Sequence, residues 1–197
     1  MQSGSVQYKI RRMKDLDDST LVRRALQADP ESFGELCRRY YHSLVAIADS
    51  VLLDHHLAED AAQETLAAAC RELDRLKTPE RFGPWIASIC RNVARDMRRD
   101  SQKQRRCVER SLADDGPGEP DDHWRGERDD ERRVVLAEAL ARLPEPLREV
   151  LFLRFYNEMS YRQMAQVLGA TEQVIDGRIR RAKKKLAILL KNAGFGR

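Results

Sequence analysis

The chain has 197 residues, enough for one domain or two small ones, and with 35% charged and only 6% aromatic residues it favours amphipathic helix over sheet. Lys and Arg total 36 against 32 Asp and Glu, so the net charge of +4 singles out no partner and the information lies in how the charge is distributed. No apolar run reaches bilayer-spanning length and the start of the chain lacks the apolar core of a secretory signal, which excludes direct membrane insertion and points to the cytoplasm.

Residues 1–16 lack periodicity and are expected to form a disordered tail. A first helix is predicted over 17–28, with Leu21, Val22, Ala25 and Leu26 on one face. Asp29 followed by Pro30 reads as an N-cap and first helical position. The helix they open carries Phe33, Leu36, Cys37, Tyr40, Leu44, Ile47 and Val51 at three-to-four spacing. A break at 54–56 precedes a third helix over 57–76 that turns Leu57, Ala61, Leu66, Ala69, Leu73 and Leu76 inward, and Thr78-Pro79 ends it. The fourth runs from Phe82 through Trp85, Ile86, Ile89, Val93 and Met97 and then becomes almost wholly polar; its register assigns Trp85 to the core. Four such helices sharing one core define a first domain at 17–106.

Segment 107–130 combines acids, Gly and Pro with almost nothing to bury, and is expected to be a flexible acidic linker. A second helical domain over 131–193 opens with Val135, Leu136, Ala139, Leu140 and Leu143 as its apolar stripe, then turns at Pro144-Glu145-Pro146. The fold class is therefore all-α, two small helical domains joined by a flexible linker. Cys37, Cys70, Cys90 and Cys107 form no C-x-x-C pair and have no His at ligand spacing, so mostly buried, reduced thiols are expected, with no metal and no cofactor.

Ser160 with Gln163 has the form of a capping box and starts a short helix holding Met164, Ala165, Val167 and Leu168, which Gly169 stops. Thr171 caps the next helix, whose stripe is Ile175, Ile179, Ala182, Leu186 and Leu189 or Leu190. A short helix, a glycine turn and a longer helix make a helix-turn-helix. The outward face of its second helix carries Arg178, Arg180, Arg181, Lys183, Lys184 and Lys185, a cationic surface suited to duplex DNA. Arginines there reach guanine edges, while lysines hold phosphates and carry the salt dependence.

The stretch from Ala139 to Ala170 resembles region 4 of an extracytoplasmic-function sigma factor of the sigma-70 family. LAEDAAQETL, from Leu57, resembles the core-binding segment of region 2, and FGPWIASICRNVARDMRR, from Phe82, resembles its promoter-melting and promoter-reading helix. The resemblance covers 17–191 in family order and implies a non-enzymatic initiation subunit that binds RNA polymerase core, directs it to promoters and helps open them. It implies that Glu59, Asp60, Gln63 and Glu64 meet a basic helical hairpin on the largest polymerase subunits. It also implies that Lys77, Arg81 and Asn92 surround a flipped base of the opened downstream (−10) element while Arg91, Arg95, Arg98 and Arg99 hold the strand. For the upstream (−35) element the matching positions are Arg154 and Tyr161 on phosphates, Asp176, Gly177, Arg180 and Arg181 nearest the bases, and Arg178 and Lys183 on the same helix. Asp176 and Gly177 depart from the basic or small polar residue and the serine usual there, so ordinary base contacts are missing. The resemblance further places the linker, with Trp124, near the RNA path, and implies a restraining anti-sigma partner.

Two other classes compete. A helix-turn-helix activator with no polymerase-binding role needs a dimerisation surface and a ligand or phosphoacceptor domain, and the first domain offers no βα pattern for one. A nuclease needs clustered carboxylates or a nucleophile with a base, and His42, His55, His56 and His123 have no partners at motif spacing.

Overall fold

A computed structural model describes residues 15–111 and 129–194, with side chains over 15–103 and 134–194. Residues 1–14 of the expected tail, most of the acidic linker with Trp124, and the Cys107 side chain lie outside the described residues, while Leu16, assigned to the tail, is half-buried against the core. No strand occurs among the described residues, in keeping with the all-α expectation.

Helix α1 (Asp18–Leu26) starts where the Asp17 carboxylate accepts from the Thr20 amide at 2.7 Å, and it buries Leu21 and Val22. Leu26, expected inward, is 46% exposed because it lies on the last turn, before the chain turns left-handed at Ala28 with φ 63°. Helix α2 (Pro30–Leu52) begins on the Asp29 cap with proline in its first turn, as the sequence indicates. Every residue over 43–51 is buried, so this part of α2 is enclosed on all sides rather than on one stripe.

Helix α3 (His55–Glu72) packs on α2 through Ala58, Ala61, Ala62, Thr65 and Ala69, small side chains that allow close approach; Leu57 and Leu66 are only half-buried. Single 3₁₀ turns at Leu73–Arg75 and Pro79–Arg81 lead into α4 (Phe82–Ser111). The fully buried face of α4 is Phe82, Ile86, Ala87, Cys90 and Ala94, one position round from the expected stripe. Trp85 is consequently half-buried: its ring leans on Phe82 at 5.8 Å and its other side is open. Cys90 donates to the Leu44 carbonyl at 3.3 Å, and burial pushes its thiol up to about 12. The expectation of mostly buried thiols holds for Cys90 alone among the described cysteines, since Cys37 is half-buried and Cys70 exposed.

The second domain comprises α5 (Asp129–Ala141), α6 (Glu145–Leu151), a π turn (Phe152–Tyr156), α7 (Tyr161–Leu168) and α8 (Glu172–Asn192). Ala139 and Leu143 enter its core, whereas Leu136, expected inward, is 41% exposed. Helix α6 and the π turn pack on α2, and α7 packs on α4, so the apolar cores of the two domains are continuous. This second layer is what encloses α2. Gly83 of α4 permits the contact with α7, because a Cβ there would stand 3.1 Å from the Gln166 carbonyl and 2.9 Å from the Tyr40 hydroxyl. Arg148 fastens the junction: its buried guanidinium donates to the Ser50 carbonyl near the end of α2 and to the Leu140 and Ala141 carbonyls ending α5, at the negative end of that helix; the Leu140 carbonyl also accepts from the Leu143 amide at 3.0 Å.

Candidate nucleic-acid interfaces

The helix-turn-helix is built from local hydrogen bonds that its sequence spells out. Ser160 accepts from the Gln163 amide at 3.3 Å, and the Gln163 side chain accepts from the Ser160 amide at 2.8 Å. Gly169 ends α7 in the left-handed region at φ 61°, and Thr171 caps α8 by accepting from the Val174 amide at 3.3 Å. With Ile175, Ile179 and Ala182 buried, helical spacing leaves Arg180, Arg181, Lys183, Lys184 and Lys185 exposed. The outward cationic face read from the sequence is present, with Arg178 half-buried at its edge.

Several of these side chains already have partners. Arg180 pairs with Asp176 at 2.9 Å, one turn away, and Arg181 Nε donates to the Gly177 carbonyl at 3.1 Å. Both contacts are exposed enough for water and salt to screen them. Arg154 donates to the Met159 carbonyl at 2.8 Å and lies 5.7 Å from the Tyr161 ring centre, so these two form one cation–π unit at the start of α7. Lys183 stands 5.0 Å over the ring of Phe155, which is 58% exposed.

In the first domain, Lys77 and Arg81 line an open cavity of about 350 Å³ together with Arg75, Leu76, Thr78, Pro84 and Trp85. An apolar floor, one aromatic wall and a cationic rim suit a base removed from its stack, with the backbone held outside. Asn92 is exposed farther along α4 and is not among the cavity's lining residues. Of the other expected residues on α4, Arg99 pairs with Asp96 at 3.0 Å, and the charge of Arg98 bears on Arg148. Arg91 and Arg95 turn toward the second domain, pairing with Glu149 at 2.8 Å and Glu145 at 2.7 Å.

Glu145, Arg148 and Glu149 escaped the reading of the sequence. The only signal was a charged pair, Arg148-Glu149, set between Leu147 and Val150 in a short helix, and all four residues are buried or half-buried. Burial pushes the Glu149 carboxyl above its usual value, with the Arg91 guanidinium opposing that shift; burial likewise lowers Arg148.

On α3, Asp60, Gln63 and Glu64 are exposed on adjoining positions, and Glu59 is half-buried with its carboxylate 3.7 Å from His55 Nε2. Glu64 pairs with Arg71 at 3.0 Å, both groups more than half exposed. The face is acidic and open.

Residues 36–104 match the family described as Sigma-70 region 2, and residues 133–186 match Sigma-70, region 4. The RNA polymerase sigma factor NccH of Alcaligenes xylosoxydans is 31% identical over 185 residues, covering 89% of this chain and 96% of that protein. The chain belongs to the sigma-70 family. The ECF RNA polymerase sigma factor EcfG of Rhodopseudomonas palustris is 32% identical over 151 residues, 75% of this sigma factor and 79% of that one. The sigma factor also resembles the solved structure of CnrH in complex with the cytosolic domain of CnrY, with 30% identity, a TM-score of 0.57, and coverage of 89% of this chain and 97% of that one. It is thus an alternative sigma factor of the extracytoplasmic-function group, a transcription-initiation protein. No helix among its described residues is long and apolar enough to cross a membrane.

Proposed function

We propose that this sigma factor binds core RNA polymerase through the open face of α3, reads the upstream promoter element with α8, and captures the opened downstream element with the 3₁₀ turns and α4. In this reading the first domain is 17–106 and the second 131–193, and the protein acts without catalysing a reaction itself. Asp60, Gln63 and Glu64, with Glu59 beside them, present carboxylates and an amide to a basic helical surface of the polymerase. Arg180 and Arg181 face major-groove edges; Arg178, Lys183, Arg154 and Tyr161 serve phosphates and orientation. Lys77 and Arg81 flank a flipped base, and Asn92, Arg91, Arg95, Arg98 and Arg99 continue the strand path along α4.

The observation that supports this reading is the occurrence in one chain of a capped cationic helix-turn-helix, suited to duplex, and an open cavity bordered by Arg75, Lys77, Arg81 and Trp85, suited to an unstacked base. A simple activator needs only the first. CnrH is seen bound to the cytosolic domain of CnrY, and by that similarity a restraining anti-sigma protein is proposed as a further partner here.

Run-off transcription with purified core polymerase tests the assignment. The expected result is promoter-dependent transcript only when the protein is added. Strong binding to duplex DNA with no gain in initiation by core would instead establish the activator reading.

A further inference from the structure

Glu145 and Glu149 are one helical turn apart on α6, and their partners Arg95 and Arg91 are one turn apart on α4. Two carboxylates at the spacing of neighbouring i and i+4 side chains therefore face two guanidiniums at the same spacing. A carboxylate meets a guanidinium by the same charge-assisted hydrogen bonds as a phosphate does. We infer that α6 is a built-in competitor for the opened DNA strand: in this closed arrangement Glu145 and Glu149 occupy Arg95 and Arg91, and the strand reaches them only after the second domain leaves. The inference rests on the assignment of Arg91 and Arg95 to the strand path.

The arrangement covers more than two side chains. Arg91 is left with 22% of its side chain exposed and Glu149 with 6%, so neither is open to a strand passing over the surface; Arg95 keeps 42%, and it is engaged by its ion pair with Glu145 rather than covered. Asn157 Nδ2 donates to the His42 carbonyl at 2.6 Å, and Ser43 Oγ donates to Met159 sulfur at 3.7 Å, which orients the π turn on α2. Pro84, a lining residue of the cavity, lies against the α7–α8 turn, 3.1 Å from where a Cβ on Gly169 would stand. One domain's duplex reader thus abuts the other's strand reader. The outer faces of α3 and α8 stay exposed.

That asymmetry sets an order of events. Polymerase and duplex can engage the closed chain, and the strand-binding arginines are released afterwards. The ion pairs select the docking register more than they hold it, because burial of Glu149 offsets much of the attraction from Arg91. The apolar contact of α6 and the π turn with α2 supplies the rest, a balance that a partner can reverse.

The test uses the full chain without polymerase and a fluorescein-labelled single-stranded oligonucleotide of random sequence. E145K/E149K places like charges at the junction and is compared with E138K/E158K, which changes net charge equally at exposed positions. Expected are a larger radius of gyration by small-angle scattering and binding about tenfold tighter than for the charge-matched control, a gain abolished by adding R91A/R95A. Affinities equal to the control's with an unchanged radius overturn the inference but leave the strand assignment standing. Expansion without a gain, or a gain indifferent to R91A/R95A, removes both arginines from the strand path and takes the inference with it. The fourfold exchange R91E/R95E/E145K/E149K re-pairs the junction with signs reversed and returns the compact radius; failure to recompact also counts against the lock and guards against mistaking a misfolded variant for an open one.

Discussion

Gly177 sits within α8 with nothing nearer to a would-be Cβ than the Arg181 guanidinium at 4.0 Å, and its backbone is ordinary helix. Glycine there makes no structural demand and leaves the helix less favoured by about 1 kcal/mol than alanine would. Gly177→Ala is therefore expected to stabilise the protein by about 1 kcal/mol, visible as a higher melting temperature. If stability is unchanged while promoter choice shifts, the value of Gly177 lies in the backbone approach it allows to DNA. Asp176 is a different case, because its carboxylate is already held by Arg180 at 2.9 Å. Reading a cytosine amino group there requires an exposed pair worth at most about 1 kcal/mol to open, and opening it frees Arg180 as well.

At the scale of elements, α3 divides its labour cleanly between two faces. Alanines and Thr65 pack on α2, and the opposite side presents Asp60, Gln63 and Glu64, exposed, with Glu64 paired to Arg71 within the same helix. Replacing Asp60 and Glu64 together with alanine should weaken binding to core by about tenfold, measured by competition for labelled core, while duplex binding by α8 stays unchanged. Unchanged core affinity would move the interface elsewhere. A fall in thermal stability would mark the carboxylates as structural, which their exposure argues against.

For the whole molecule, the buried junction makes closure sensitive to pH. The Glu149 carboxyl lies above its usual value when closed, through burial first, with Arg91 opposing, Glu145 adding to the rise and Arg178 to the opposition. In an open chain it would titrate as an ordinary exposed glutamate. The closed form then holds the proton more firmly, so closure is favoured as pH falls toward the ordinary carboxylate range and weakened as pH rises through the raised value. Energy transfer between labels on the two domains should increase as the pH is lowered from neutral toward the ordinary carboxylate range, and Glu149→Gln should flatten that component. Asp49, in the stretch of α2 that the second layer encloses, is also pushed up by burial, with His55 beside it as the leading opposing charge, and it is retained in the Glu149→Gln variant. A wild-type profile identical to the variant's would remove Glu149 as the source of the dependence.

Local chemistry was legible without coordinates. The Asp29-Pro30 start of α2, the Ser160–Gln163 capping box, the Gly169 stop and the Thr171 cap depend on residues within a few positions of one another, so sequence alone determined them, and with them the outward cationic face of α8. The stripes of α1, α4 and α5 were less secure: Leu26, Trp85 and Leu136 fit a helical period yet face outward or lie half-buried, because burial depends on which neighbour covers a face. Tertiary structure alone decided the enclosure of 43–51 by a second layer, the insertion of Arg148 between the ends of two helices, and the meeting of Arg91 and Arg95 with Glu149 and Glu145. The hydrogen bonds among them that cross between the two domains join residues 50 or more positions apart. A charge pattern along one helix gives no sign of which distant helix will neutralise it.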